Sequence, residues 1–270
     1  MTIDWPIACA NCGNALQRCD DGSLACRACG AEVAVVNGAW DFLSAAQKDR
    51  YRGFLDDYTR IRHAEGRTSD AAAYYRALPD CDPEHPLAWQ WVIRARSFAA
   101  LSGLLARELP ADARVLDVGA GCAWLSNRLS QAGYSPCAVD LSADPGDGLG
   151  AARHYDGEWP RLVADFDRIP LADAAVDALV FNASFHYSTD YADTLAEAKR
   201  VTRPGGLIVV LDSPVYRNEH SGQRMLLEQA SDFERRFGTR SDKLDAEGFL
   251  TWDGLRRLGR DVGLRWQWKR

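Results

Sequence analysis

The stretch RVLDVGAGCAW runs from Arg114 to Trp124. Val115 to Val118 read as a short buried strand, and Gly119 and Gly121 follow it at once. A strand that breaks into G-x-G can turn sharply and approach a ligand with no Cβ in the way. A lone G-x-G also suits an ordinary strand-to-helix turn. The dinucleotide fingerprint G-x-G-x-x-G demands a further glycine at position 124, and this chain has Trp124 there. Outward from this turn the chain alternates between strand and helix. Strands are expected at 114–118, 136–140, 160–164, 175–182 and 206–212, with helices at 122–132, 190–201, 221–236 and 251–262. A last strand is expected in LRWQWKR, where Leu264, Trp266 and Trp268 alternate with Arg265, Gln267 and Lys269. This rhythm predicts parallel crossovers, hence an α/β fold with a doubly wound, mostly parallel sheet.

Upstream of the turn the texture changes twice. Trp89, Val92, Ile93, Leu101, Leu104 and Leu105 recur at helical spacing ahead of Pro110, which predicts one long helix from Ala88 to Leu109. Residues 44–87 hold no strand pattern. Within them Tyr51, Phe54, Tyr58, Ile61 and Arg62 lie at helical spacing, as a lid or linker helix would place them. Residues 1–43 are rich in Cys and Gly, with short apolar runs such as Val33–Val36. The expected organisation is 1–43, 44–87 and 88–270.

The 270 residues are 47% hydrophobic and 26% charged, as in globular domains. A formal net charge of −6, a pI near 5.4 and the absence of long like-charge runs argue against nucleic acid as a partner. The longest apolar run, near Leu207–Leu211, is far too short to span a bilayer. The opening MTIDWPIACA has neither a basic n-region nor an apolar h-region, so no signal peptide is read and a cytoplasmic setting is expected. Eight cysteines in that setting are reduced thiols or metal ligands.

Cys9 and Cys12 form one C-x2-C pair, and Cys26 and Cys29 form another thirteen residues on. Four thiolates fill a tetrahedral zinc shell and leave no open position, so the ion expected here is a structural Zn²⁺. Its binding free energy would fold a segment too small to hold a core alone. A ribbon that has lost its metal is the alternative, and Cys19 is expected to stand apart. The segment from Cys9 to Leu43, with its VVNGAWDFL tail, resembles the small zinc ribbon fused to, or partnering, many methyltransferases. That resemblance allows a protein partner through the ribbon, or a homodimer. Arg18 and Arg27 face Asp4, Asp20, Asp21, Glu32 and Asp41 in this segment, a balance ill-suited to phosphate.

The glycine turn has companions. Asp140 ends the second strand about twenty residues on, where an acid can accept from both ribose hydroxyls. VADFD ends the third strand with Asp165 beside Phe166, a carboxylate and a ring suited to adenine. LVFNASFHY ends the fourth, and RPGGLIVVLDS turns into the fifth. This ordered set resembles the class I S-adenosylmethionine-dependent methyltransferases, in particular their small-molecule "type 11"-like branch, over residues 88–268.

The resemblance implies S-adenosylmethionine as cofactor. Asp117 would orient the turn near the amino group. Gly119, Ala120 and Gly121 would face the methionine part. Asp140 and Leu141 would hold the ribose, Asp165 and Phe166 the adenine, and Asn182 would lie under the methionine part. Tyr58 or Arg62 would close from the lid onto the carboxylate; an amphipathic helix packed on the ribbon is the alternative. Ala123 stands where the family has a third glycine, acceptable if its φ is negative. The family's usual antiparallel seventh strand has no counterpart, so the sheet is shortened or a partner covers the gap.

His186 faces the acceptor in the resemblance, and an unperturbed pKa near 6.5 suits a base; a structural packing role stays open beside it. Tyr187 is a candidate for positioning substrate, and Tyr74 and Tyr75 for lining the acceptor pocket. Asp212 could reach the pocket or cap the turn at Ser213-Pro214. The other histidines are expected on surface or loops, and Trp89, Trp91 and Trp252 in the core. The implied activity is methyl transfer to O, N or C of a small-molecule acceptor. An RNA methyltransferase using the ribbon as a clamp, and a non-catalytic module on the same fold, are the alternatives.

Overall fold

The computed structural model describes residues 5–268; Asp4 of the acidic ribbon balance, and Lys269 at the end of LRWQWKR, lie outside them. The elements in chain order are β1 (Gln17–Arg18), β2 (Leu24–Ala25), β3 (Glu32–Val36), β4 (Ala39–Asp41), α1 (Ala45–Ala64), α2 (Ala72–Ala77), α3 (Ala88–Glu108), β5 (Arg114–Val118), α4 (Trp124–Gln131), β6 (Ser135–Asp140), β7 (Arg161–Val163), β8 (Val176–Asn182), α5 (Tyr191–Val201), β9 (Thr202–Leu211), β10 (Val215–Tyr216), α6 (Glu219–Phe237), β11 (Leu250–Thr251) and α7 (Trp252–Val262).

One sheet carries nine of these strands in the order β1-β2-β3-β4-β7-β6-β5-β8-β9. From β4 to β9 every pairing is parallel. β5 lies between β6 and β8, so the chain reverses its direction of winding there, and its carboxyl end marks the switch point where such sheets bind ligands. Alternate residues of β5 feed two cores. Val115 packs with Trp91, Leu105, Trp124 and Leu125 of α3 and α4 on one face. Leu116 and Val118 pack with Leu195, Ala198 and Leu255 of α5 and α7 on the other.

The ribbon is continuous with this sheet. Asn37 and Gly38, both at positive φ (47° and 80°), turn β3 into β4 as an Asn-Gly hairpin does. β4 then adds in parallel to β7, with Trp40 beside Leu162 and Asp41 beside Val163. Trp5, Ile7, Leu24 and Val33 join the α5–α7 core.

Three expectations fail in the fold. Residues 264–268 form no strand; Trp266 folds back so that its Nε1–H donates to Leu255 O (2.7 Å), which removes the alternation from any sheet. β9 is therefore the last strand at its edge, with neither a sixth nor a seventh among the described residues. The RPGG segment lies inside β9, opposite a register shift between Val176 and Ala178, instead of forming a turn before it. Trp91 is buried as expected, but Trp89 is 64% exposed and Trp252 38%. Among the described residues no helix is long and apolar enough to cross a membrane.

Candidate functional site

A cavity opens at the carboxyl ends of β5, β6, β7 and β8. Gly119, Asp140, Leu141, Ser142, Phe166, Ala183 and Ser184 form its wall, and Phe54, Leu55, Tyr58 and Tyr187 roof it. Gly119 is required twice over: its φ is +70°, and a Cβ there would fall 2.2 Å from Ser184 Cβ. Ser184 itself is pinned by its hydroxyl to Val118 O (2.5 Å). Phe166 stands beside it, edge-on to Phe181 (6.1 Å).

Asp140 ties the two loops of the cavity together. Oδ2 accepts from Gly121 N (2.8 Å) and Oδ1 from Ser142 N (2.8 Å). Burial pushes its carboxyl up to about 6, against the pull of those backbone N–H groups. Each oxygen keeps a lone pair for a further donor. Asp117 is fully buried; Oδ2 accepts from Ser126 N (3.1 Å) and Oγ (2.9 Å), holding the first turn of α4, while Oδ1 has no partner among the described residues. Burial raises its carboxyl to about 7.

Helix α1 covers the cavity through Phe54, Leu55 and Tyr58. It starts in a capping box, Ser44 Oγ accepting from Gln47 N and Gln47 Oε1 accepting from Ser44 N. Tyr51, Phe54, Tyr58 and Arg62 project from one side of it toward the cavity. Tyr51 donates its hydroxyl to Asp165 Oδ2. Tyr58 meets Tyr187 edge-on at 6.0 Å, and the Arg62 guanidinium lies 4.5 Å from the Tyr58 ring centroid. Arg62 Nη2 donates to Tyr187 Oη (3.1 Å) and Nη1 to Glu65 Oε2 (2.8 Å), with Asp147 3.8 Å away. The lid helix does not pack on the ribbon by this face.

Asp140, Leu141, Gly119, Phe166, Tyr58 and Tyr187 thus meet at one cavity, and Arg62 and Asp165 brace its roof. Ala120, Gly121, Asn182 and His186 lie next to this wall in the chain without lining it, and Gly121 reaches it through its hydrogen bond to Asp140. His186 departs from the base it resembles. Its Nδ1 lies 3.4 Å from Ser213 Oγ, and burial, then Arg62 and Arg94, push its pKa down to about 4. Tyr75 is fully buried, stacked on His154 (4.5 Å) and donating to Gly146 O (2.9 Å), and Tyr74 donates to Arg67 O (3.3 Å), so both hold the α2 region, and neither lines the cavity described above. His154, half-buried in that stack, is no surface residue. Ala123 has φ +58°, the left-handed region, and its methyl is buried in the core. Tyr51 is the functional residue that helical spacing found without giving it a role; the acid it reaches is 114 residues away.

The four ribbon cysteines converge. The Sγ atoms of Cys9, Cys12, Cys26 and Cys29 all lie within 4.8 Å of one another, with Cys9–Cys29 at 3.6 Å and Cys12–Cys26 at 3.5 Å. Tetrahedral zinc with bonds of about 2.3 Å needs sulfurs about 3.8 Å apart, so the cage fits. Gly13 N donates to Cys9 O and Gly30 N to Cys26 O (2.8 and 2.9 Å), which makes the two turns matching knuckles. Cys19 is exposed and outside the cluster.

Residues 116–210 match the family model described as "Methyltransferase domain". A malonyl-[acyl-carrier protein] O-methyltransferase of Pectobacterium atrosepticum is 37% identical over 95 residues, 35% of this chain and 36% of that protein. A demethylmenaquinone methyltransferase of a Mycobacterium species is 37% identical over 103 residues, 38% of this chain and 42% of that one. The chain spans less than half the length of these curated relatives. The YcgJ protein of Bacillus subtilis shares the fold at a TM-score of 0.51 and 17% identity, over 64% of this chain and 70% of that one.

Proposed function

We propose that this chain, which carries a class I methyltransferase domain, uses S-adenosylmethionine to methylate a small-molecule acceptor. The observation that carries the reading is the cavity itself. Asp140 stands at its β6 end with lone pairs free for a diol, Phe166 offers a ring face, and Gly119 leaves the turn open between them. In this reading Asp140 holds the ribose and Phe166 packs on the adenine, with Asp165 held beside it by Tyr51. The orphaned Asp117 Oδ1 would accept from a cationic amino group, and Arg62, held here by Tyr187 and Glu65, would turn to a carboxylate. Bound cofactor supplies a methyl group on a positively charged sulfur. The chain supplies alignment and exclusion of water, effects worth about 7–11 kcal/mol in well-oriented reactions. The two curated relatives, named for malonyl-[acyl-carrier protein] and for demethylmenaquinone, support a metabolite group as acceptor over a nucleic acid.

Trp124 favours this cofactor over a dinucleotide. A pyrophosphate needs the third glycine so that helix and strand pack closely with the helix N-terminus at the phosphate. A sulfonium cofactor has no phosphate, and Trp124 is free to pack against Trp91 (6.1 Å) and Phe98 (5.9 Å). Calorimetry tests the reading: S-adenosylhomocysteine should bind and NAD should not, and the reverse result would sink it. The ribbon cysteines hold one structural zinc, with no position left for catalysis.

A further inference from the structure

A second polar cluster lies where α3 meets the ends of β8 and β9. Arg94 on α3 stacks its guanidinium over Trp91, 4.9 Å from the ring centroid, and makes one long hydrogen bond, Nη1 to Gln90 Oε1 at 3.4 Å. Gln90 Oε1 is already taken by Arg67 Nη2. Among the described residues Arg94 has no ion-pair partner, though guanidinium carries five N–H donors. Burial, then the nearby Arg67 and Arg62, hold its pKa below the usual arginine value.

The matching deficit lies just past β9. Asp212 has φ +50°, and its Oδ1 accepts from Ser97 Oγ at 2.5 Å, one turn along α3 from Arg94. Its Oδ2 is buried and has no hydrogen-bond partner among the described residues. Arg94 and Asp212 feel each other's charge, yet they do not pair. Ser97 donates to the carboxylate, and the guanidinium lies over the Trp91 ring. His186, just past β8, feels the charge of Arg94, and its Nδ1 lies 3.4 Å from Oγ of Ser213, the residue after Asp212.

A cation short of its anion beside a carboxylate oxygen short of its donor is a complementary pair of vacant contacts. We propose that Arg94 and Asp212 recognise the methyl acceptor: Arg94 takes a carboxylate, and Asp212 Oδ2 takes an O–H or N–H donor of the same molecule. The acceptor class is then a small hydroxy- or amino-carboxylate. This inference rests on the methyltransferase reading above.

The test titrates the full chain, saturated with S-adenosylhomocysteine, with glycolate, glycine and 4-hydroxybenzoate and with the methyl ester of each. At least one acid should bind tenfold or more tighter than its ester. Arg94→Gln should abolish that preference and leave S-adenosylhomocysteine affinity within twofold, while Arg94→Lys keeps part of it. Asp212→Ala should weaken the same acid about tenfold, and Asp212→Asn, which keeps an acceptor oxygen, less. Equal binding of acid and ester, or no binding of any acid, overturns the proposal. So does an Arg94→Gln variant that loses S-adenosylhomocysteine as steeply as the acid, which would put Arg94 on the cofactor. A wild-type chain that does not bind S-adenosylhomocysteine at all fails the methyltransferase reading itself, and the proposal with it.

Discussion

Tyr51 donates its hydroxyl proton to Asp165 Oδ2, joining the first turns of α1 to the loop after β7. Burial and the facing Asp165 raise the Tyr51 pKa, so the phenol stays a donor. At the other end of α1, Arg62 is bonded to Tyr187 after β8. Helix α1 is therefore fastened at two points across the cavity. Tyr51→Phe should cost about 1 kcal/mol of stability, the value of one such hydrogen bond. It should also speed dissociation of S-adenosylhomocysteine several-fold in stopped-flow measurements. An unchanged dissociation rate would mean that α1 does not gate the cavity.

Asp140 sets a pH dependence whose sign follows from burial. Its folded pKa of about 6 lies above the ordinary carboxylate value of 3.8, so the folded chain holds the extra proton between the two. Folding stability from this group is therefore present at low pH and falls as pH rises from about 4 to about 6. Cofactor affinity should run the other way, because a ribose diol needs the ionised acceptor. Binding of S-adenosylhomocysteine should weaken below pH 6, up to tenfold per unit, and Asp140→Asn should bind weakly with a flat profile. A wild-type profile that is flat from pH 5 to 8 contradicts the assignment.

His186 should be silent in the neutral range. Burial and two arginines keep it uncharged down to about pH 4, which makes it a poor proton acceptor. His186→Gln should leave the shape of the pH–rate profile between 5.5 and 8 unaltered, even where the rate itself changes through packing. An inflection near 6.5 that disappears in the variant would restore the general-base role.

The parts of the site that were legible in the sequence are those set by a strand end. Gly119, Asp140 and Phe166 each follow a buried apolar run, and a parallel sheet brings strand ends together by topology alone. The fold followed from the same rhythm, and the four-cysteine cluster from two C-x2-C pairs whose spacing is local. What stayed hidden depends on long-range packing. Nothing near Asp165 announces Tyr51, and nothing near Asp212 announces Arg94. The pKa of His186 is set by burial and by arginines on α1 and α3, so an unperturbed value could not anticipate it. LRWQWKR has the alternation of a strand, but Trp266 finds its partner in Leu255 O on α7 instead of on a sheet edge.

Removing the metal should unfold more than the ribbon. Because β4 is hydrogen-bonded to β7, and β7 leads to Asp165 and Phe166, the cysteine cluster supports the Phe166 end of the cavity. Elemental analysis should find one zinc per chain. Chelation, or Cys26→Ala, should lower the melting temperature by about 10 °C or more, as a loss of several kcal/mol does in a domain of this size. Failure to find zinc, or an unshifted melting temperature after its removal, defeats this prediction.

Ala123 and Trp124 give the last test, in the turn that decides the fold. Ala123 lies at φ +58°, ψ 28°, where an L-residue with a Cβ is strained by about 1 kcal/mol. Glycine would relieve that strain, but it would lose a buried methyl worth about 0.8 kcal/mol and make the unfolded chain freer. The two effects nearly cancel, so Ala123→Gly should stay within about 1 kcal/mol of wild type in urea unfolding. Ala123→Val, branched at Cβ, has no such offset and should lose more than 2 kcal/mol, on the order of the cost of a forced left-handed residue. Trp124→Ala empties a site packed by Trp91 and Phe98 and should cost about 3–5 kcal/mol. Because Ala123 points into the core and not into the cavity, Ala123→Gly should bind S-adenosylhomocysteine as the wild type does. A gain of affinity in that variant would show that its methyl crowds the cofactor after all.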